Sequence, residues 1–386
     1  MLLKEVLSAA DRQEFLRVPT LMNKGNDQYI RPLDKDIEDV FDPQKNKAFR
    51  FGKAIRWILY NEKNELIGRI AAFTNKKYKN KGDEFPVGGM GFFDCIHNQE
   101  AAEILLQSAA QWLSNEGMEA MDGPINFGER DRWWGLLIEG FQSPLYCMNY
   151  NPPYYKELLE GFGFELFFNQ ICFGFNPYHS LSDKVKSRYQ EWSTNPAFRV
   201  EQLQKNKIER FAKDFATVYN KAWAGHGGLK EMKREQAVAL FRKMKPVMDP
   251  NILWFAYHHE EPIAIFINLP DLNQWFKHLE GKFDLWHQLK FLWIRYTKNC
   301  TKFTGLVFGV IPEFQGKGID SFLIGSAHQH LQQLPYIDYE MQWIGDFNPK
   351  MMNVAEQLGD TFRTRTLATY RYIFDRTIPF KRHPQI

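Results

Sequence analysis

The sequence predicts a mixed α/β protein in which one plan, a mixed sheet flanked by helices, is built twice. Three observations predict this. At 386 residues and 45.6 kDa the chain suits two domains of about 150–200 residues each. Its hydrophobic patterns follow the order helix, hairpin, strand, helix, strand, helix, strand, and then run through that order again. Between the runs lies a polar, turn-rich stretch, Asn176 to Pro196, which separates a first domain at 1–180 from a second at 195–386.

Hydrophobic residues make up 44% of the chain and charged residues 25%, a mix that excludes disordered, collagenous and disulfide-scaffold classes. Lys and Arg number 49 against 46 Asp and Glu, and the resulting +3 gives no strong field toward nucleic acid or an anionic membrane. Cys95, Cys147, Cys172 and Cys300 show neither C-x-x-C pairing nor zinc spacing, and read as reduced thiols of a cytoplasmic protein. No run of about 18 apolar residues offers a membrane span. The unusual quantity is aromatic: 33 Phe, 16 Tyr and 11 Trp need large cores or apolar pockets. Trp133, Trp134, Trp275 and Trp286 are expected at a cleft between the domains.

In the first run, residues 1–16 interrupt their apolar positions with Lys4, Glu5, Asp11 and Arg12, the pattern of an amphipathic first helix rather than a signal peptide. A polar stretch (23–46) follows. Residues 54–61 and 66–75 then read as a hairpin turning at Glu62–Asn64. Lys76, Lys77, Lys79 and Lys81 mark a solvated tip. Residues 87–95 are a glycine-rich strand, and 98–117 a helix with Asn98 as N-cap and Gly117 as its stop. A strand (119–127), a helix (152–163) and a closing strand (165–175) complete the run.

The second run starts with helices at 207–223 and 233–245. A hairpin at 252–269 turns through Glu260, Glu261 and Pro262, and an aromatic insertion follows. Then come a strand (304–312), a helix (319–334), a strand (339–347), a helix (349–359) and a last strand (366–374).

The stretch from Gly305 to Leu331 carries the chemistry. An apolar strand runs into Pro312, a loop holds Gly316 and Gly318, and an apolar helix starts near Ile319. Such a turn offers consecutive backbone N–H groups at a helix N-terminus, glycines permit close approach of a phosphate, and the helix dipole favours its charge. Lys317 adds a point charge in the loop.

Residues Gln315-Gly316-Lys317-Gly318-Ile319-Asp320 resemble the Q/R-x-x-G-x-G/A pyrophosphate loop of the GNAT acyl-CoA N-acyltransferase superfamily. Asp320 departs from the usual Gly or Ala. Residues 342–359 resemble that family's next strand and helix, with its Asn-started spacing running from Asn348 to Gly359 and Asn348 at the position that contacts pantetheine or orders the splayed strands. Ala355 stands where many members have a Tyr that protonates the leaving thiolate. Asn151 to Phe164 are similar to the same helix in degenerate form, and the first run has no pyrophosphate loop. Segments 68–73, 91–95, 122–127 and 151–164 together resemble a bacterial family of tandem GNAT-like proteins.

The resemblance implies two tandem GNAT-like folds, with acetyl-CoA or another acyl-CoA as co-substrate, a small-molecule or peptide amine as acceptor, and no metal, membrane or nucleic-acid partner. Backbone N–H near Val310 would polarise the thioester, with the acyl chain along Phe308 to Val310 and Ile311 at the strand end. Glu340 and Glu313 are candidate bases, since base catalysis asks for a carboxylate raised toward neutral pH. Tyr370 and Tyr372 on the last strand are candidate acids, placed by alternation on one face.

Other features carry less chemistry. His328 and His330, two apart on a helix, do not share a face, and His258 and His259 point to opposite sides of a strand. Residues 128–141, with Arg130, Asp131, Arg132, Trp133 and Trp134, are either a substrate-recognition loop or an edge packed onto the other domain. Three readings stand: an acyl-CoA-dependent N-acyltransferase, a non-catalytic CoA-responsive protein, and a transferase using aminoacyl-tRNA. The small net charge and lack of a long basic arm weigh against the third.

Overall fold

The computed structural model describes residues 1–223 and 231–385. The first run comprises β1 (Leu2–Glu5), α1 (Ala9–Met22), α2 (Asp34–Val40), the hairpin β2 (Ala54–Tyr60) and β3 (Leu66–Phe73), and β4 (Val87–Cys95). It continues with α3 (Gln99–Asn115), β5 (Ala120–Gly123), β6 (Leu136–Glu139), α4 (Tyr155–Phe162) and β7 (Glu165–Phe175). Helix α5 (Asp183–Ser193) occupies the boundary stretch. The second run has β8 (Phe198–Gln202), α6 (Ile208–Trp223), α7 (Arg234–Met244), and the hairpin β9 (Leu253–His258) and β10 (Glu261–Pro270). The aromatic insertion forms α8 (Asn273–Phe276) and α9 (Leu285–Thr297). After it come β11 (Lys302–Val310), α10 (Ile319–Leu331), β12 (Asp338–Met341), β13 (Ile344–Gly345), α11 (Pro349–Glu356) and β14 (Phe362–Ile373).

All these strands join one sheet, ordered β1-β2-β3-β4-β5-β14-β7-β12-β11-β10-β9-β8, with β6 beside β14 and β13 beside β7. The order reads the same from either edge once each strand is matched to its counterpart in the other run. The parallel pairs match too: β4 with β5, and β11 with β12. The centre departs from the expected arrangement. Strand β7, expected to close the first copy, pairs with β12 of the second, and β14 pairs with β5 of the first. The two copies exchange their last strands, which lie antiparallel from Phe362 opposite Gly174 to Arg371 opposite Glu165. Hydrophobic alternation fixes which face a side chain takes but not which strand lies alongside.

Alternation does set the layers. Ile58, Tyr60, Ala71 and Phe73 pack with Phe15 and Leu16 of α1. Their sequence neighbours Trp57, Leu59, Ile70 and Ala72 pack with Ala101, Leu105 and Ala109 of α3 on the other face. The hairpin is therefore buried on both faces, and burying a ring such as Phe15 there contributes roughly 1.5–3 kcal/mol.

Two expectations need correction. Residues 2–5 are an edge strand paired with β2, not part of the first helix. The helix starts only at Ser8, whose Oγ accepts from Asp11 N–H (3.1 Å) while Asp11 Oδ2 accepts from Ser8 N–H (2.9 Å), a reciprocal cap that fixes the boundary. The four tryptophans do not line a cleft between domains. Trp133 and Trp134 are buried in the core beneath α1, Trp275 is buried in the second core, and Trp286 is exposed. Residues 128–141 accordingly pack into the first half, with the Arg130 guanidinium over the rings of Tyr78 and Trp134.

Candidate active site

The site forms where two parallel strands part. β11 and β12 pair from Lys302 opposite Asp338 to Gly305 opposite Met341, and no further. Beyond Gly305, β11 continues beside β10 alone. Ile311 N–H donates to Ile263 O (2.9 Å) on the β10 side. Successive N–H groups of a strand alternate in direction, so those of Val310 and Phe308 face the gap that β12 has left. A cavity of about 230 Å³ fills this gap, lined on one wall by Leu306, Val307 and Phe308, and on the other by Met341, Trp343 and Ala355.

The glycine loop adjoins this gap. Gly316 and Gly318 adopt φ +71° and +88°, the left-handed region that a side chain resists. A Cβ on Gly316 would meet nothing within 4 Å. Gly318 is the N-cap of α10, and no side chain caps that helix. The contrast with the first half is direct: Asn98 Oδ1 accepts from Ala101 N–H (2.8 Å) and so closes the N-terminus of α3 to an anion. The second half leaves its cradle open, and its residues fit a pyrophosphate. Gln315 Nε2 donates to Val310 O (2.9 Å), tying the loop to the strand end. Lys317 lies over the Phe314 ring, Glu313 is exposed, Ile319 is buried, and Asp320 occupies the first turn of α10.

Helix α5, in the expected linker, forms one wall of the loop. Trp192 Nε1 donates to Lys317 O (3.0 Å), and a Cβ on Gly318 would stand 3.1 Å from Arg188 Cδ. Arg188 makes no hydrogen bond or ion pair among the described residues.

Several expected site residues lie elsewhere or are otherwise engaged. Glu340 is fully buried. Its Oε1 accepts from Arg365 Nε (2.6 Å) and Thr364 Oγ1 (2.9 Å), and its Oε2 is 2.5 Å from Lys302 Nζ. Burial pushes the Glu340 carboxyl up, but Arg365 and Lys302 outweigh it and hold the group below the ordinary carboxylate range. That is the reverse of what a base needs. Tyr370 belongs to the first half: it pairs with Gly123, sits in the core beneath α3, and donates to Glu160 Oε1 (3.2 Å). Tyr372 packs on Phe162 and Phe164 there. Strand exchange carries both away from the Val310 gap. Asn348 caps α11, accepting from Met351 N–H (3.2 Å).

Sequence reasoning missed Tyr339. Its ring lines the cavity between Phe303 and Phe266, and its Oη lies 2.3 Å from where a Gly305 Cβ would be, so glycine at 305 makes room for the phenol. The hydroxyl has no protein partner among the described residues, and burial pushes its pKa well above the usual phenol value. The signal was present as a glycine placed where the parallel strands separate. His328, the other titratable residue on the lining, donates through Nε2 to His179 O (2.8 Å) and is pushed down by burial. Among the described residues no group of three or more His, Cys, Asp or Glu is placed to hold a metal ion.

No family model matches the sequence. The chain is 22% identical over 361 residues to a bacterial ceramide synthase of Caulobacter vibrioides, covering 92% of this chain and 93% of that protein. A tandem GNAT protein from the clavulanic acid biosynthesis pathway superposes with a TM-score of 0.55 at 10% identity, covering 98% of this chain and all (100%) of that one. A GCN5-related glucosamine N-acetyltransferase region in a fungal multi-domain GH3 β-N-acetylglucosaminidase superposes at 0.54 and 12% identity. There the match covers 96% of this chain but 38% of that one. At such identities the structural likeness fixes the fold alone, and the chain is a pair of GNAT folds in tandem.

Proposed function

We propose that the chain is an acyl-CoA-dependent N-acyltransferase whose second half, residues 195–386, holds the co-substrate and whose acceptor is a long-chain amine. The observation that carries the reading is an uncapped, glycine-flanked helix N-terminus whose loop Gln315 ties to the end of β11, the strand that walls an apolar gap. The pyrophosphate would rest on Gly316 to Asp320, and the acyl arm along Phe308 and Val310. The similarity to a ceramide synthase supports the acceptor class, since a ceramide is an N-acylated long-chain amine. It also supports an acyl group longer than acetyl, for which the apolar lining is suited.

In the reaction the amine nitrogen attacks the thioester carbon, a C–N bond forms, and the C–S bond breaks with its electron pair on sulfur. One proton leaves nitrogen and one reaches the thiolate. Val310 N–H is the donor for the developing oxyanion, a role in which one preorganised donor contributes roughly 2.7–4 kcal/mol. The Tyr339 hydroxyl stands against Gly305, five residues back along β11 and roughly 15 Å from Val310, so it lines the acyl path and does not share this role. Its pKa is too high for it to surrender the proton to a thiolate efficiently. Among the described residues no carboxylate lines the cavity, so the amine's proton leaves to solvent.

A second reading, CoA binding without catalysis, has its own support: Glu340 is locked in ion pairs and Ala355 replaces the usual acid. Two measurements separate the readings. Free CoA and acyl-CoAs are expected to raise the melting temperature, and Gly316→Val to remove that shift. No shift with any acyl-CoA would overturn both readings. Thiol release with a library of long-chain and short amines then decides between them, and release only with short polar amines would overturn the acceptor class.

A further inference from the structure

Helix α9, within the insertion between β10 and β11, turns an apolar face to solvent. Leu285, Trp286, Leu289, Leu292, Trp293 and Tyr296 are 53–88% exposed. At about 100° per residue they fall within a single arc of roughly 120°. Phe291 and Ile294, on the opposite side, are 4% and 5% exposed and anchor the helix to the second core. The helix is thus apolar on both its faces, and its core contacts use only one. The outward face exposes on the order of 800 Å² of large side chain, above what a monomer ordinarily leaves in one apolar patch.

The margins of this arc are basic. Lys290 borders it on one side and Arg295 on the other, and α9 contains no acidic residue. Lys290 Nζ donates to His278 O (2.7 Å), and Lys298 Nζ lies 3.1 Å from His278 Nε2, so these lysines gather with Lys277 beside the helix. Lys205 and Lys245 gather around Arg295, with Asp249 among them, so this side keeps a net positive charge. Asp284, the N-cap, is engaged by His287 N–H and the His287 ring. Trp and Tyr beside Leu, bordered by Lys and Arg, is the composition of a helix lying in a membrane interface, with its rings at headgroup depth and its cations on anionic lipid phosphates.

We infer that α9 seats the protein on an anionic lipid bilayer by inserting this face into the interface. No helix among the described residues is long and apolar enough to cross a membrane, so the contact is peripheral. The small net charge, which gave no sign of a membrane partner, averages away a local basic margin. Pairing with a second copy through the same face is disfavoured, because a two-fold contact would bring the like-charged margins together. The insertion leads directly into β11, which walls the reaction gap, so docking through α9 would bring that gap close to the lipid surface. This purpose rests on the long-chain amine reading, but docking itself does not require it.

The test is sedimentation of the full chain with vesicles, in the absence of any acyl-CoA, so that its failure is separate from failure of the acyltransferase reading. Vesicles of phosphatidylcholine mixed with phosphatidylglycerol are expected to bind at least about tenfold more tightly than phosphatidylcholine alone, and raised salt to weaken the binding. The double variant Trp286→Ser/Trp293→Ser is expected to lose about tenfold or more of this affinity with an unchanged melting temperature, since both rings are exposed. Three results would overturn the inference: no sedimentation with either vesicle, undiminished binding by the double variant, or a wild-type dimer in solution that the double variant dissociates.

Discussion

Arg365 and Glu340 meet with neither side chain exposed, Nε to Oε1 at 2.6 Å. They come from β14 and β12, which are not neighbours in the sheet but flank β7. Arg365 also donates through Nη1 to Gln142 O (3.3 Å) and through Nη2 to Ser143 O (3.1 Å) in the first half. The pair therefore joins two strands of the second run across β7 of the first, and reaches the first half again through the Gln142 and Ser143 carbonyls. Removing one partner leaves an uncompensated buried charge, so Glu340→Ala is expected to destabilise the fold by about 3–5 kcal/mol in denaturant unfolding.

The pH dependence has a definite sign. Because the folded Glu340 carboxyl is held below its ordinary value of 4.5, the stability it contributes is fully present above that value and is lost as pH falls through the folded one. Glu340→Gln is expected to lower stability at neutral pH and to flatten this acid limb. If Glu340→Gln kept full stability at pH 7 and lost only turnover, the carboxylate would be a base after all.

Asp271 shows the opposite behaviour. Burial pushes its carboxyl up to about 6, against help from Asn273 N–H and the Lys302 charge. Between 3.8 and about 6 the native state holds the proton more firmly than the unfolded chain, so stability falls as pH rises through that window and stays reduced above it. Asp271→Asn retains an oxygen to accept from Asn273 N–H (3.1 Å) and removes the charge. It is expected to raise stability at pH 8 by on the order of 2–3 kcal/mol and by much less at pH 4. An equal gain at both pH values would place the effect outside titration.

How much of this was legible follows from the residues themselves. The two runs, their order, and the loop at Gly316 and Gly318 were readable because periodicity and glycine placement are local properties. The sites of Tyr370 and Glu340 were not. Tyr370 reads as part of the second run, and only the pairing of β14 with β5 moves it to the first half. Glu340 reads as an isolated carboxylate, and its partners Lys302 and Arg365 lie on other strands. Asn98 shows the reverse case. Its N-cap role was visible in sequence, and that cap is what physically distinguishes the closed helix end of the first half from the open one of the second.

Tyr339 tests the lining of the acyl-binding gap. Tyr339→Phe removes one hydroxyl that has no partner among the described residues, so the fold is expected to stay within about 0.5 kcal/mol of the parent. As part of the lining, five residues along β11 from Val310, the same hydroxyl is expected to leave kcat within about twofold and to change KM for the acyl-CoA instead. Thiol-release kinetics read both quantities. A changed KM at unchanged kcat would make Tyr339 a wall of the acyl-binding gap, and a kcat loss of about tenfold or more would overturn that assignment.

Arg188 tests whether the segment between the two runs takes part in binding. Its stem lies against the Gly318 backbone while Trp192, one turn on, holds Lys317 O, so α5 keeps a guanidinium at the rim of the open helix N-terminus. That guanidinium has no carboxylate partner among the described residues, which leaves its donors available to a phosphate. Arg188→Ala is expected to weaken acyl-CoA binding about fivefold to tenfold by calorimetry and to reduce its salt dependence, while Arg188→Lys restores part of each. Because α5 also packs on α10 through Tyr189 and Phe322, a structural loss would lower the melting temperature and resist rescue by Lys. Weaker binding at an unchanged melting temperature, partly rescued by Lys, marks a direct charge on the phosphate. In that case the stretch that reads as a linker completes the co-substrate site.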